Sequence, residues 1–340
     1  MWQRAVGTGS TAMSDRPLRI LLVRLSALGD VAVGLHILST LRARFPSAHL
    51  GWLIEDRFAS LVEAHPELDS THIYARKGLR FPWNWWRIPG FLHSVRRERY
   101  DVALDLQGNL KSGVLAALAG AKRRAGLGGS MSREGNRWFV RERIEPPVLP
   151  HRLDAYHALV DAVFLPGPRA FARLEPGAEQ HGAIVLHGGT SRFGAFKRWP
   201  PERFADLGDR LATRLRAPVW LTAGPGERAQ VEAVRARMRT EARIVEPADL
   251  PSLVRVLAGA RVVVAGDTGP AHLAAATGVA TVVLFGPKDP AVHAPAGARV
   301  ATVRNGVRCS PCSLRACPAP VCMTELDVDP VEAAALELCS

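Results

Sequence analysis

No GxGxxG follows the first apolar run of this 340-residue sequence, and GxxxxGK(S/T) occurs nowhere in it. The first absence counts against a dinucleotide-dependent oxidoreductase and the second against a P-loop nucleotidase, because each motif is the backbone cradle those enzymes build for phosphate. The opening residues, MWQRAVGTGSTA, lack the apolar centre of a signal peptide. Low-complexity tracts, repeats at solenoid spacing and the RNP, KH and zinc-finger patterns are missing as well. From Thr268 to Pro287 there is no Asp, Glu, Lys or Arg, yet Gly269, Pro270, Gly278 and Gly286 punctuate that run at turn spacing and exclude a membrane helix. A cytoplasmic globular protein is expected, with any nucleotide site built in some other way. Residues 1–15 read as a disordered extension, with Met13 as an alternative start.

What is present suits two domains. Hydrophobic residues make up 47% of the chain and charged residues 22%, and the length is great for a single core. The net charge of +12 divides into +8 over residues 1–165 and +4 over 166–340. A basic first half suggests an acidic partner: a phosphorylated substrate, an anionic membrane or nucleic acid. RILLVRLSALGD, HLGWLIED and YDVALDLQGN each pass from an apolar run into polar residues, and AIVLHGGT, PVWLTAGPGE and ARIVEP repeat the scheme in the second half. Strands alternating with helical stretches predict parallel sheets covered by helices, an α/β fold of two doubly wound halves. A strand is expected over Ile20–Val23 and a helix from about Val31 to Arg44. The Pro- and Gly-rich stretch from Glu145 to Gly182, around a helix near Asp154–Phe164, marks the junction. The expected units are residues 16–165, residues 166–325 and a terminal helix within 326–340.

The most informative segment is VVVAGDTGPAHLAAATGVATVVLFGPKDP, Val262 to Pro290. A buried strand over Val262–Val264, a short helix over Ala271–Thr277 closed by Gly278, and a second strand over Thr281–Phe285 are predicted. The turn between them lies past the carboxyl end of a strand, where open parallel sheets bind ligands. Pro270 suits a first helical turn, since it has no N–H to leave unpaired. The N–H groups of Thr268 and Gly269 stay free for an anion. A well-capped βαβ unit without ligand has the same pattern.

In RLSALGD, Asp30 has two readings: the N-cap of the following helix, or a general base for an attacking hydroxyl. HGGTSRFGAFKRWPPERF places a Gly-rich loop with Thr190 after a strand, then Lys197 and Arg198 before a helix. Cations oppose the dipole at a helix start, so Lys197 is a candidate to face a diphosphate resting on the Thr268–Gly269 turn. A leaving group that departs with two negative charges needs such stabilisation. His272 either contacts phosphate or braces the turn, and bracing is expected.

RLSALGDV, DLQGNLKS, HGGTS…FKRWP and GDTGPAHLAAATGVATVVLFGPKDP occur together and in this order in the lipopolysaccharide heptosyltransferases, which the chain resembles from about Arg19 to Leu338. WLIEDRFASLV, YDVALDLQGNLKSG and SREGNRWF look most like the heptosyltransferase I branch, with heptosyltransferase II or another core transferase as the alternative. The resemblance implies a GT-B fold and an inverting transfer of heptose from ADP-heptose to Kdo-bearing lipid A, with no metal or other cofactor. It makes Asp30 the base. It assigns Lys197, Thr190, Thr268, Gly269 and Pro270 to the donor, Asp267 and His272 to support of the turn, and Glu227 to the ribose. Lys111 and Arg133 are then candidate acceptor contacts. A nucleotide-sugar binder without catalysis would need the turn but not Asp30.

The stretch Arg76–Arg99 holds seven Lys/Arg and one Glu around Trp83, Trp85 and Trp86. That mixture suits an anionic inner-membrane surface and peripheral attachment on its cytoplasmic side. No nucleic-acid partner is expected. Cys309, Cys312, Cys317 and Cys322 cluster at a spacing that could hold zinc or an iron–sulfur cluster, although it departs from paired CxxC motifs.

Overall fold

The computed structural model describes residues 16–340 except 64, 77–85, 147, 149–150, 176, 178, 191, 313 and 315. The expected extension 1–15, and Trp83 and Trp85, lie outside the described residues. In the first half, β1 (Arg19–Val23), β2 (His49–Glu55), β3 (Ser70–Tyr74), β4 (Val102–Asp105), β5 (Arg123–Leu127) and β6 (Glu142–Ile144) form a parallel sheet in the order β3-β2-β1-β4-β5-β6. In the second, β7 (Ile184–His187), β8 (Val219–Thr222), β9 (Ala242–Val245), β10 (Val262–Gly266), β11 (Ala280–Phe285) and β12 (Val300–Arg304) form another, in the order β12-β11-β10-β7-β8-β9. Counted from its own first strand, each half has the same order. The central strands are continuous apolar runs because helices cover both faces of each sheet: ILLV of β1 and VVVAG of β10 are wholly buried. In each half the winding reverses beside its first strand, at β1–β4 and at β7–β10, which opens a crevice at the carboxyl edge.

The helix after β1 spans Leu28–Arg44 and so starts three residues earlier than predicted. Ala27, in extended conformation, is its N-cap, and Asp30 is the third helical residue. The N-cap reading of Asp30 is therefore corrected. A carboxylate at that position reaches back toward the cap N–H, and Asp30 Oδ2 lies 3.5 Å from the Ala27 nitrogen. This helix is buried without interruption from Val31 to Leu41, because it packs on its own sheet and also against the other half. Leu35 and Leu38 share one core with Val263, Leu273 and Ala274 of the second half.

The chain crosses between halves along that helix. Thr40 Oγ1 donates to the Ala170 carbonyl and accepts from its N–H, both at 3.1 Å. His36 Nδ1 accepts from the Ala172 N–H at 2.9 Å. The Leu174 N–H then donates to the Ala276 carbonyl at 2.9 Å, on the second half. The terminal helix, Val328–Cys339, begins two residues before Pro330. It shares a second core with Trp199 and Phe204, and the Trp199 indole donates to the Leu326 carbonyl at 2.8 Å.

Candidate active site

The carboxyl edges of the two sheets enclose a cavity of about 920 Å³. Leu28, Gly29, Asp30 and Arg57 line it from the first half, Arg152 from the junction, and Thr190, Lys197, Glu227, Asp267, His272 and Lys288 from the second. Most of the predicted donor residues are thereby gathered opposite the predicted base.

The loop carrying Asp30 is held from its neighbours. Gln107 Oε1 accepts from the N–H groups of Leu25 at 2.7 Å and Ser26 at 3.2 Å. Buried Asp105 sets that glutamine: Oδ1 accepts from the backbone of Gln107 and Gly108, and Oδ2 from Ser112 Oγ and Asn136 Nδ2. The DLQGN motif is thus a brace for the neighbouring loop. Arg24 Nη1 donates to the Leu106 carbonyl at 2.7 Å, while its Nη2 pairs with Asp30 Oδ2. Arg152 Nη1 meets Asp30 Oδ1 at 3.1 Å. Burial pushes the Asp30 carboxyl up, but Arg24 and Arg152 outweigh it and hold the group below the usual carboxylate range.

Across the floor, Thr268 is the extended N-cap of the helix Gly269–Thr277, with Pro270 in the first turn and no acidic residue there. Two glycines let the halves meet. A Cβ on Gly29 would come within 2.9 Å of His272 Cδ2, and one on Gly269 within 2.7 Å of Leu28. His272 is held to a pKa of about 4, chiefly by burial, with Asp267 and Asp30 opposing and Arg152 adding to the shift. It is neutral at pH 7, and its buried Nδ1 has no hydrogen-bond partner among the described residues.

Lys197 Nζ lies 2.6 Å from Asp267 Oδ2, so the residue before the turn also holds the lysine, while the Asp267 backbone N–H donates to the Leu284 carbonyl at 3.1 Å. Arg198 turns away: its Nε donates to Thr190 Oγ1 at 2.7 Å, which fixes the Gly-rich loop. Glu227 accepts from the Gly224 N–H at 2.8 Å and stands 3.9 Å from buried His187. Lys111 and Arg133 lie outside the cavity lining. Lys111, in the first turn of the helix Leu110–Leu118, pairs with buried Glu55. Arg133 is exposed, and its backbone N–H donates to the Gly108 carbonyl at 2.7 Å.

Sequence reasoning missed Arg24, Arg57, Gln107 and Arg152. Arg24 stands in the quoted RLSALGD motif and was legible as a neighbour of Asp30. Arg152 carries no local signal, since only the tertiary fold brings the junction helix to the floor. The cysteines are all free, with Cys309 exposed and Cys322 buried. Among the described residues no three His, Cys, Asp or Glu side chains come together to hold a metal, although burial and the nearby thiols of Cys309, Cys312 and Cys317 push the Cys322 thiol up. Nor is any described helix long and apolar enough to cross a membrane.

Residues 90–322 match glycosyltransferase family 9 (heptosyltransferase), more than half of the chain. The chain belongs to this family. It is 31% identical to lipopolysaccharide heptosyltransferase 1 of Pseudomonas aeruginosa, over 88% of this chain and 87% of the relative. Lipopolysaccharide heptosyltransferase 2 of Escherichia coli K12 is 26% identical over 84% of this chain and 88% of its own. The solved structure of E. coli heptosyltransferase WaaC with ADP superposes with a TM-score of 0.77 at 23% identity, covering 94% of this chain and 100% of that one. Family membership makes the chain a glycosyltransferase, and the GT-B fold expected from the sequence is the one observed.

Proposed function

We propose that this family member transfers heptose from ADP-heptose to an acidic, Kdo-bearing lipid A acceptor with inversion at the anomeric carbon. One observation carries the reading: a carboxylate on one half faces an acid-free helix N-terminus and a lysine on the other, across a single cavity. The acceptor hydroxyl attacks the anomeric carbon as the bond to the diphosphate oxygen breaks. Its proton passes to Asp30. The charge that develops on ADP is taken by the N–H groups of Thr268 and Gly269 and by Lys197, released from or shared with Asp267. Pro270 fixes the start of that helix, Thr190 and Glu227 flank the nucleotide, Glu227 toward the ribose, and His272 spaces the two halves. Closure of the two halves around donor and acceptor excludes water, which would otherwise hydrolyse the donor.

Lys111 and Arg133, on the first half outside the cavity, suit anionic groups on the far end of the acceptor. Trp86 and Trp138 are 61% and 74% exposed, and each adjoins an arginine, Arg87 and Arg137. They favour attachment of this half to the cytoplasmic face of an anionic membrane. The test is ADP release from ADP-heptose with and without Kdo-bearing lipid A. Acceptor-dependent release is expected. Release only with an acceptor that already bears heptose would move the assignment to the second-heptose step, and donor binding without release toward any acceptor would make the chain a binder.

A further inference from the structure

Two guanidiniums share one carboxylate at the cavity floor. Lys197 is matched by Asp267 and Arg24 by Asp30, and His272 is neutral, so among the groups around Asp30 the Arg152 guanidinium is the surplus cation, sharing that carboxylate with Arg24. Its placement is costly in two ways. Arg152 is the first residue of the helix Arg152–Phe164, where a cation opposes the helix dipole. Its side chain is also only 25% exposed. The geometry is nevertheless enforced. His151, the N-cap, accepts from the Leu153 N–H through Nδ1 at 3.3 Å and meets the Ala294 carbonyl through Nε2 at 2.8 Å. This ties the start of the junction helix to the second half. One turn on, the fully buried Tyr156 hydroxyl lies beside the Arg152 guanidinium, which donates toward it. A half-buried guanidinium at a helix start that must share one carboxylate with a second guanidinium is a cost to the free protein that an incoming anion would offset.

We propose that Arg152 is a positioning residue: it holds Asp30 in the free enzyme and turns to a substrate oxyanion, a diphosphate or carboxylate oxygen, when the substrates bind. Asp30 then keeps Arg24 alone and is freed to accept the hydroxyl proton. The inference rests on the reading of Asp30 as base. A carboxylate held by two guanidiniums takes a proton poorly, and losing one contact restores basicity only once the cleft is filled. The groups facing Asp30 are Arg24 from the loop after β1, Arg152 and Tyr156 from the junction helix, and His272 from the helix after β10, with Asp267 beyond it.

The experiment is a pair of pH profiles on Arg152→Met and Arg152→Lys. The kcat/KM profile reports the free enzyme and the kcat profile the substrate complex. In Arg152→Met the acidic limb of kcat/KM should move to higher pH by about half a unit or more, because a cation beside Asp30 is gone. The limb of kcat should stay in place, since Arg152 has already left Asp30 in the complex. Loss of the charged contact should weaken one substrate by roughly tenfold. ADP affinity by calorimetry falls if the oxyanion is the diphosphate, and the KM for acceptor rises if it is the carboxylate. Arg152→Lys keeps the charge without the fork, so its acidic limb should stay near wild type while the same substrate is weakened. It also serves if the Met variant does not fold. Joint movement of both limbs, or wild-type limbs and affinities throughout, overturns the proposal. Asp30→Asn with wild-type turnover removes the base reading instead, and a weakened substrate in Arg152→Met would then still stand for oxyanion binding.

Discussion

The two halves present the same device to the cleft and use it in opposite ways. Each sends a helix N-terminus to the floor, with a glycine in its first turn against the other half. In the first half the N-terminus is already occupied by its own carboxylate, since Asp30 sits in the first turn and reaches back toward Ala27. In the second half the first turn carries no acid, and Asp267, just before the cap, is drawn aside by Lys197. Both ends carry the same partial positive charge. In the proposed mechanism one serves an internal anion that acts as the base, and the other stays open for the diphosphate of the donor.

The largest effect should come from emptying the occupied end. Asp30→Asn should lower acceptor-dependent ADP release by roughly 100- to 10,000-fold while ADP binding, measured by calorimetry, stays near wild type. Equal losses of both would show that Asp30 serves the donor and would erase the contrast. Removing the cation of the open end comes next. Lys197→Met should reduce kcat by about 100- to 1,000-fold and weaken ADP as well, whereas unchanged ADP affinity would place the diphosphate elsewhere.

Filling the open end sharpens the comparison most directly. Thr268→Asp supplies the second half with a carboxylate of its own. It should raise thermal stability slightly, since Asp at an N-cap is stabilising by up to about 1 kcal/mol, while ADP affinity falls by about tenfold or more. Improved stability with full affinity would mean that the diphosphate does not use this turn. The smallest effect is expected at the brace. Gln107→Leu leaves the buried Leu25 N–H unpaired and should cost about 1–3 kcal/mol in denaturant unfolding. The matching loss of activity would exceed the loss of ADP affinity, because only the Asp30 loop is disturbed. A variant as stable as wild type would show that the loop is held without Gln107, by the Trp52 indole donating to the Arg24 carbonyl and by the backbone bonds to Leu53 and Glu55.

The second half was the more legible one. Between Val262 and Phe285 the β-branched runs, the Pro after Gly269 and the Gly after Thr277 all agree with one local structure, and the observed elements differ from the predicted ones by two residues at most. The first half was read less well at its working end. ALGD offers no Ser, Thr or Asn to cap the helix, so from position alone Asp30 reads equally as cap or base, whereas the chain starts the helix at Leu28. Lys111 is a candidate acceptor contact through its place after DLQGN in the resemblance, and its helix first turn by itself suits an ordinary surface lysine equally. Its partner Glu55 lies on another strand, and nothing local to Lys111 announces it. For the four cysteines, burial and the nearby thiols of Cys309, Cys312 and Cys317 push the Cys322 thiol up, while among the described residues no three ligand side chains come together to hold a metal.

Apolar periodicity and turn residues by themselves determined two doubly wound halves and the open helix N-terminus at Thr268, while the motifs, through the family they resemble, made Asp30 the candidate base. The first two depend on residues within a few positions of one another, where steric and hydrogen-bonding preferences act directly. Only the tertiary structure decided that Lys197 is matched by Asp267, that Gln107 holds the loop of Asp30, and that Arg152 reaches Asp30 from the junction helix. Charge acts through space, and the distance between two charged groups is set by the packing of both sheets and the helix that crosses between them.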